Sequence, residues 1–347
     1  MSGRSDAAPA APDEAILAFI ESAGLLEGTG EPHYTPLTGG VSSDIWLVET
    51  QQRRFCVKRA LARLRVAADW RAPVERSVFE AAWMKGAARV DPDAAPAILS
   101  DDPQAGMLAM EYLPPEDFRL WKSELMEGRA DPAVAAMVGS RLARIHSAFA
   151  RDAAAPSTFP RDDIFHSIRL EPYLEAAGRA HPDLADRLGY LVRRTAETKR
   201  SVVHGDISPK NILIGPKGPV FLDAECAWFG DPAFDAAFCL NHLMLKCLVQ
   251  PAAVDRFLGS FDALCAAYFS GVDWEERSDL EERVATLLPG LFLARVDGKS
   301  PVEYLTNEND KQCVRRVARA LLRNPVTTPA AVREAWAADL ASERAKR

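Results

Sequence analysis

The sequence lacks the features that mark several common classes of protein. No apolar run approaches the roughly 18 residues of a membrane span, and the first 14 residues, MSGRSDAAPAAPDE, contain no apolar core of a signal peptide. The formal net charge is −7, so there is no basic surplus to attract nucleic acid. We therefore expect a cytoplasmic protein that binds neither membranes nor nucleic acid.

Cysteine and glycine patterns exclude further classes. The six cysteines are scattered, with no C-x-x-C pair and no metal-ligand spacing. Gly298-Lys299-Ser300 resembles the end of a Walker A loop, but the glycine required five positions earlier is replaced by Leu293. No G-x-G-x-x-G follows a first strand, which argues against a dinucleotide-binding fold. The cysteines are best interpreted as reduced, buried thiols.

The apolar pattern changes part-way along the chain. Residues 1–12 are rich in Ala and Pro and are expected to be disordered. A helix is predicted over 13–24, followed by strand-like segments over 45–48 and 54–58. A second helix over 74–88 and a third strand-like segment over 106–113 come next. After Pro115 the pattern is that of amphipathic helices, predicted over 132–150, 183–199, 233–249, 251–270, 278–296 and 308–323. A β-like island over 201–223 interrupts them. We predict an α+β chain with a small β-rich N-lobe (13–113) and a large, mostly helical C-lobe (114–347).

The island contains the residues with the clearest chemical meaning. His204-Gly205-Asp206 is followed by Asn211, and a second strand ends at Asp223. This is the spacing of the kinase catalytic loop, H-x-D-x-x-x-x-N, followed by a metal-binding Asp. Phosphoryl transfer from ATP needs a carboxylate beside the attacking hydroxyl and oxygen ligands for Mg²⁺. The alternative, that these are simple turn residues, does not explain three polar residues set among apolar strands.

With Phe221-Leu222-Asp223-Ala224-Glu225 and Gly230-Asp231-Pro232-Ala233-Phe234-Asp235, the island resembles the aminoglycoside phosphotransferase family, which includes choline-kinase-like and methylthioribose-kinase-like enzymes. The resemblance runs from about residue 35 to about residue 300. It implies a bilobal protein-kinase-like fold that uses ATP and Mg²⁺ to phosphorylate a hydroxyl of a small molecule. It also implies Asp206 as the catalytic base, Asn211 and Asp223 as the metal ligands, and Glu225 in the metal or acceptor site. Asp231 and Asp235 would be structural.

The nucleotide-binding residues are expected in the first lobe. Lys58 lies on a strand, where an interior lysine needs an acidic partner; Glu80 is preferred to Glu75 because apolar residues surround it. The small-residue loop at 39–43 could fold its amides over phosphates. The resemblance implies that backbone groups at 111 and 113 hold adenine. The expected set is Gly39, Gly40, Ser42, Ser43, Lys58, Glu80, Glu111 and Leu113.

Two alternatives to this interpretation stay open, and one is disfavoured. A protein kinase is disfavoured because Gly205 replaces Arg after His204 and only seven residues separate Asp223 from Asp231, with no A-P-E. A catalytically silent nucleotide-binding module of the same fold remains open, as does a sugar kinase of the methylthioribose type. The acceptor pocket is expected near Asp206, among Trp228, Phe229, Trp274, Arg295 and Tyr304.

Overall fold

The structure of the protein is a computed structural model that describes residues 11–26, 30–37, 42–63, 65 and 72–345. Two kinds of secondary structure divide this part of the chain: a small antiparallel sheet region and a larger helical part. The strands of the sheet region are β1 (His33–Pro36), β2 (Ser43–Glu49), β3 (Arg54–Ala60), β4 (Ile98–Asp102) and β5 (Met107–Glu111). The short strands of the helical part are β6 (Arg119–Leu120), β7 (Ser201–Val203), β8 (Ile212–Gly215), β9 (Gly218–Phe221) and β10 (Trp228–Gly230).

The helices surround these strands and account for most of the chain after residue 120. They are α1 (Glu14–Ser22), α2 (Arg76–Val90), α3 (Trp121–Met126), α4 (Pro132–Arg151), α5 (Ala155–Thr158), α6 (Asp162–Phe165), α7 (Ala176–Ala180), α8 (Ala185–Glu197), α9 (Ala233–Val249), α10 (Val254–Ser270), α11 (Arg277–Asp297), α12 (Glu308–Arg323) and α13 (Pro329–Ala345). A π-helical segment, His166–Glu175, joins α6 to α7. The α+β fold class expected from the sequence is confirmed. Within the described ranges, no helix is long and apolar enough to cross a membrane.

The five-stranded sheet, in the order β1-β2-β3-β5-β4, is covered on its two faces by different helices. Strand residues alternate between faces, so Phe55 and Val57 of β3 pack with Ile16 and Ile20 of α1 in one apolar cluster. Lys58 lies on the other face of β3, where its Nζ contacts Glu80 of α2. The alternation predicted from the sequence therefore fixes which face of β3 carries the charged group.

The helical part has a core of its own, and its central helix is buried on all sides. In α9 every residue from Ala233 to Cys247 is buried, which is the pattern of a helix enclosed by others. α10 and α11 pack against it, and α4 packs against α10. Into this framework the chain inserts β7, β8 and β9, so the island predicted at 201–223 is held by buried helices.

Several elements were missed or displaced by the sequence prediction. α2 begins at Arg76 and not at 74, since Pro73 precedes a turn. β1, β4, α13 and the π-helical segment were not predicted at all. β1 and β4 are the edge strands of their sheet, where few alternating apolar residues are needed. Most of the predicted tail at 1–12 lies outside the described residues, and the lobe boundary at 113/114 remains a prediction.

Candidate active site

The loop after β7 is held by a buried carboxylate. The backbone N–H groups of His204 and Gly205 donate to the two oxygens of Asp235, at 2.7 and 2.8 Å. His146 Nε2 lies 3.2 Å from the same carboxylate, and its Nδ1 lies 2.9 Å from the hydroxyl of Tyr268. Asp235, at the start of α9, therefore fixes the start of the loop to the core of the helical part.

His204 is held in one orientation from both ring nitrogens. Its Nδ1 accepts the N–H of Asp206 at 3.2 Å, so the proton resides on Nε2, which donates to the carbonyl of Leu222 at 3.0 Å. Burial lowers the pKa of His204, which keeps the ring neutral. The ring also packs edge-on against Trp83, with centroids 4.7 Å apart. His204 thus braces the loop and leaves proton transfer to another group.

Gly205 occupies a position that only glycine fits. Its φ is +77°, in the left-handed region that side chains disfavour. A Cβ there would lie 2.7 Å from the carbonyl oxygen of Cys226. The glycine lets the loop pass this backbone immediately before Asp206.

Asp206 is a buried carboxylate held by two cations. Arg169 NH2 and Lys210 Nζ lie 2.9 and 3.0 Å from its Oδ2, and Arg169 Nε also donates to the carbonyl of Gly205. Burial would raise the pKa of Asp206, but Lys210 and Arg169 outweigh it and hold the pKa well below the usual range. Asp206 is therefore ionised, and it can accept a hydrogen bond from a hydroxyl.

The hairpin of β8 and β9 brings the two expected metal ligands together. The Leu222 N–H donates to the carbonyl of Asn211 at 2.8 Å, which places Asp223 just beyond Asn211 on the neighbouring strand. Asn211 donates its Nδ2 to the carbonyl of Asp206 at 3.2 Å, which fixes the orientation of its side-chain amide. Asp223 has a φ of +65°, the one positive φ among the described non-glycine residues. Such strain is typical of functional sites.

Lys58 connects the sheet region to this hairpin. Its Nζ lies 2.7 Å from Oε1 of Glu80 and 2.5 Å from Oδ1 of Asp223. Burial would lower the pKa of Lys58, but the carboxylates of Asp223 and Glu80 raise it above its ordinary value. The amine stays charged, as a group that meets phosphates must. Glu75, the competing partner, is exposed at the start of α2.

Arg76 forms a second bridge between the two parts. It is 1% exposed, and its Nε donates to Oε2 of Glu225 at 2.9 Å. Its NH2 donates to the carbonyls of Ser42 and Leu61, at 2.6 and 2.8 Å. Glu225, expected in the metal or acceptor site, is thus tied to the end of the small-residue loop.

The remaining expected nucleotide contacts are only partly described. Gly39 and Gly40 lie outside the described residues, whereas Ser42 and Ser43 are buried at the start of β2. The Glu111 N–H donates to the carbonyl of Ala97 at 2.8 Å, so it is not available as a donor for a ligand. Leu113 follows β5, where the sheet region meets the helical part.

The donor set fits magnesium carried by a nucleotide. Among the described residues, no group of three or more His, Cys, Asp or Glu is arranged to hold a metal alone. Mg²⁺ is usually bound by one or two protein oxygens together with substrate phosphates. The carboxylate of Asp223, whose pKa is lowered mainly by Lys58 against the effect of burial, and the side-chain oxygen of Asn211 fit that pattern.

The residues expected at the acceptor pocket have different surroundings in the structure. Trp228 is buried against Phe165, with ring centroids 4.3 Å apart, and Phe229 pairs beside it on β10. Trp274 donates to Glu275 at 2.9 Å. Arg295 and Tyr304, however, line a pocket beside the loop after Asp206.

Sequence reasoning missed the residues that hold Asp206 and Glu225. Arg169 lies on the π-helical segment, which no pattern predicted. Arg76 lies in the predicted second helix and Lys210 in the loop between Asp206 and Asn211, and neither was assigned a role. Only Lys210 carried a sequence signal, because it lies four residues after Asp206 in the same loop.

Comparison with known families agrees with this geometry. The family described as "Phosphotransferase enzyme family" (APH) matches residues 33–277, more than two thirds of the chain. The chain belongs to this family. The resemblance inferred from the island is therefore confirmed. The curated sequences that match this chain include methylthioribose kinases.

Two curated relatives illustrate the distance within the phosphotransferase family. The methylthioribose kinase of Pectobacterium carotovorum is 27% identical over 227 residues, which cover 57% of this chain and 56% of the relative. Methylthioribose kinase 2 of Oryza sativa is 22% identical over 61% of this chain and 56% of its own length. The chain thus spans just over half the length of the curated relatives it matches.

Solved structures share the fold at low identity. An amicoumacin kinase, determined with AMP-PNP and Ca²⁺, aligns with a TM-score of 0.56 at 12% identity, covering 92% of this chain and 96% of that one. A choline/ethanolamine kinase family protein from Mesorhizobium loti aligns with a TM-score of 0.54 at 14% identity, covering 94% and 98%. These likenesses establish the kinase-like fold.

Proposed function

We propose that this member of the phosphotransferase family transfers the γ-phosphoryl group of ATP to a hydroxyl of a small molecule, with Mg²⁺ as the metal. The supporting observation is one cluster: Lys58 bonds to both Glu80 and Asp223, and the ionised Asp206 lies on the same loop-and-hairpin unit. Positioning and charge neutralisation are the main demands of phosphoryl transfer, and this cluster supplies both.

Each side chain has a separate task in this proposal. Asp206 accepts a hydrogen bond from the acceptor hydroxyl and aims its oxygen at the γ-phosphorus. The new bond joins that oxygen to phosphorus, the bond from phosphorus to the β,γ-bridging oxygen breaks, and ADP leaves. Because the pKa of Asp206 is held low, it takes the hydroxyl proton late, as the loose transition state of this reaction allows. Arg169 keeps the carboxylate of Asp206 in place.

The nucleotide is held from the opposite side of the cluster. Lys58 contacts phosphate oxygens, and Glu80 keeps its amine in position. Asn211 and Asp223 would hold Mg²⁺, which neutralises phosphate charge when bound. The carbonyl of Glu111 and the backbone of Leu113 remain the proposed adenine contacts, together with Ser42, Ser43 and the two glycines before them at the phosphates.

Some acceptors are disfavoured by the charges of the helical part. Polycationic aminoglycosides need several free carboxylates, and three of the six carboxylates in the acidic run at 273–282 are held in ion pairs. Asp273, Glu275 and Glu281 pair with Arg151, Arg283 and Arg277, at 2.6, 2.7 and 2.6 Å respectively. Methylthioribose deserves testing because relatives that match half of this chain are named for it.

An acceptor screen tests the proposal. Full-length protein with Mg·ATP is assayed for ADP release against alcohols, sugars, amino alcohols and hydroxy acids, beside an Asp206→Asn variant. The proposal requires acceptor-dependent ADP release that the variant lacks. Saturable binding of Mg·ATP without turnover on any acceptor would instead support the silent nucleotide-binding module.

A further inference from the structure

A pocket in the helical part opens beside the proposed catalytic carboxylate. Its lining residues are Lys122, Pro209, Lys210, His242, Lys246, Arg295, Glu303 and Tyr304. Pro209 and Lys210 belong to the loop that carries Asp206, and Lys210 Nζ lies 3.0 Å from Oδ2 of Asp206. Lys210 therefore connects the pocket to Asp206. A molecule bound in the pocket would be separated by one side chain from the carboxylate that is proposed to receive the acceptor hydroxyl.

The buried part of the pocket contains two basic side chains without an ion-pair partner. Lys246 of α9 is 1% exposed and Arg295 of α11 is 8% exposed. Neither forms an ion pair with any described carboxylate, and Lys246 Nζ has no hydrogen-bond partner among the described residues. Its ammonium lies 3.2 Å from the centroid of the Tyr304 ring. Burying an unpaired charge costs several kcal/mol, so an anion bound beside these two side chains would offset that cost and keep both of them charged.

The other partners of these two side chains are neutral. Arg295 NH1 donates to the hydroxyl of Tyr173 at 3.2 Å and to the carbonyl of Ser300 at 2.5 Å, while its Nε has no partner in the described part of the chain. His242 Nε2 is likewise buried without a partner. Burial, together with Arg295 and Lys246, lowers the pKa of His242, so this ring adds a polar atom and no charge.

At the rim of the pocket the charges are already paired. Lys122 pairs with Glu303, and Lys210 pairs with Asp206. Both lysines are partly exposed, with 32% and 53% of their side chains accessible. Each lysine at the rim faces a carboxylate, so the basic groups without an ion-pair partner are the two buried ones.

We propose that the acceptor carries, beside the hydroxyl that is phosphorylated, an anionic group that binds in this pocket against Lys246 and Arg295. The inference rests on the proposed phosphotransferase function and narrows its substrate class. A cationic acceptor would be repelled by these side chains, and a neutral sugar would leave them unpaired. The pocket volume of about 30 Å³ suits one carboxylate or phosphate group and not a whole acceptor.

Paired acceptors test the charge requirement. Wild-type protein with Mg·ATP is assayed with glycerate against glyceramide, and with glycerol 3-phosphate against glycerol; methylthioribose and choline serve as neutral and cationic probes. We expect the acidic member of a pair to have at least tenfold higher kcat/KM, the scale of one charge-assisted hydrogen bond. The two pairs distinguish a carboxylate from a phosphate. Turnover that favours a neutral or cationic probe would overturn the inference and leave the phosphotransferase proposal standing.

Variants separate this pocket from the nucleotide site. Lys246→Met removes a buried charge and keeps the side-chain length, and Arg295→Gln removes the second. Each should raise KM for the acidic acceptor by about 10- to 100-fold, with KM for ATP changed less than about twofold. The matched control is Lys217→Met, at a lysine that is 75% exposed. A rise in KM for ATP without one for the acceptor would assign the pocket to the nucleotide instead.

A binding measurement decides the case even where no probe is phosphorylated. Melting temperatures of wild type saturated with Mg·AMP-PNP are compared in acetate, inorganic phosphate and chloride at equal ionic strength. Acetate or phosphate should stabilise wild type and Lys217→Met by a few degrees relative to chloride, and should not stabilise Lys246→Met. Equal melting temperatures in all three salts, or an unchanged anion effect in Lys246→Met, would rule the site out. No shift with Mg·AMP-PNP itself would count against the proposed function.

Discussion

Lys58 and Asp223, 165 positions apart in the chain, are joined by an ion pair with 2.5 Å between Nζ and Oδ1. The pair connects the central strand of the sheet region to the end of the β8–β9 hairpin. Glu80 of α2 binds the same amine. The distance between the sheet region and the helical part therefore depends on charged side chains that a bound nucleotide would also contact.

Removing Lys58 should affect both nucleotide binding and stability. Lys58→Met leaves Glu80, which is 2% exposed, as an uncompensated buried carboxylate. We expect KM for ATP to rise at least tenfold and the free energy of unfolding to fall by about 3–5 kcal/mol, the usual cost of breaking a buried pair. Urea unfolding and ADP-release kinetics measure the two effects. Lys85→Met, at an exposed ion pair with Asp101, is the control and should change the free energy of unfolding by less than about 1 kcal/mol.

The double variant Lys58→Met/Glu80→Gln tests the physical reason for that loss. Neutralising Glu80 removes the unpaired charge, so the double variant should be more stable than Lys58→Met alone. Strict additivity of the two single losses would show that the lysine and the glutamate do not interact in solution.

Asp206→Asn isolates the role of the carboxylate. The amide keeps the shape of the side chain but binds a hydroxyl proton poorly, so kcat should fall by about 10²- to 10⁴-fold, the range of a positioned base. Affinity for Mg·ATP, followed by thermal shift, should stay within about threefold. Undiminished kcat with every acceptor would remove Asp206 from the mechanism.

Gly205→Ala should distort the loop that carries Asp206. The new Cβ would meet the carbonyl of Cys226 at 2.7 Å, and φ is +77°, so backbone and neighbour would both have to move. We expect a loss of about 2 kcal/mol or more in the free energy of unfolding and a lower kcat. Gly189→Ala in α8, where the added Cβ meets only Arg193 NH1 at 3.5 Å, should be neutral or stabilising by up to about 1 kcal/mol.

Asp235→Ala should weaken the same loop from its other side. The substitution leaves the buried N–H groups of His204 and Gly205 without acceptors, at a cost of about 1–3 kcal/mol for each unsatisfied group. Asp235→Asn retains one acceptor oxygen and should be less damaging. Melting temperatures of the two variants, with kcat measured below both transitions, give the comparison. Equal damage from Ala and Asn would show that the charge, and not the pair of accepting oxygens, is required.

Lys246→Met should stabilise the protein in a pH-dependent way. Burial, with smaller effects of Lys122 and Arg295 opposed by Glu303, lowers the pKa of Lys246 to about 7, whereas an unfolded lysine titrates near 10.4. His242, Tyr304 and Lys210 complete the groups that face it. Between these two pKa values Lys246 is protonated in the unfolded chain but mostly neutral in the folded protein. The free energy of unfolding of the wild type therefore rises with pH.

The advantage of Lys246→Met over wild type should therefore be largest at and below pH 7. It should amount to a few kcal/mol there, about 1.4 kcal/mol for each unit of pKa difference, and shrink as pH rises toward 10. Urea unfolding of both proteins at several pH values measures this difference in free energy. The titrations of all other groups cancel, because both proteins share them. An advantage that does not depend on pH would show that the lysine is hydrated in the folded state.

The loop that carries Asp206 shows what local sequence can predict. Asp206 and Asn211 are five positions apart, and a tight hairpin returns the chain to Asp223, so their proximity follows from short stretches of backbone. The face of β3 that carries Lys58 was predictable because side chains alternate along a strand. Helices such as α9 were predicted because buried and amphipathic patterns extend over many residues.

The partners of those residues were not predictable in the same way. Arg169 reaches Asp206 from the π-helical segment, 37 positions earlier in the chain, and Arg76 reaches Glu225 over 149 positions. No local periodicity encodes such contacts. They depend on how α2 and the segment 166–175 pack against the island, which involves many weak apolar contacts at once.

Short-range spacing and the period of apolar side chains were enough to predict the family, the α+β class and the residues that we propose to contact ATP. Tertiary structure alone decided which charges remain unpaired. Lys246 and Arg295 come from separate helices, and only the packing of α9 beside α11 buries both in one pocket where neither forms an ion pair with a described carboxylate. Burial and pairing are properties of the whole fold, and they determine the charge of the acceptor that the pocket can hold.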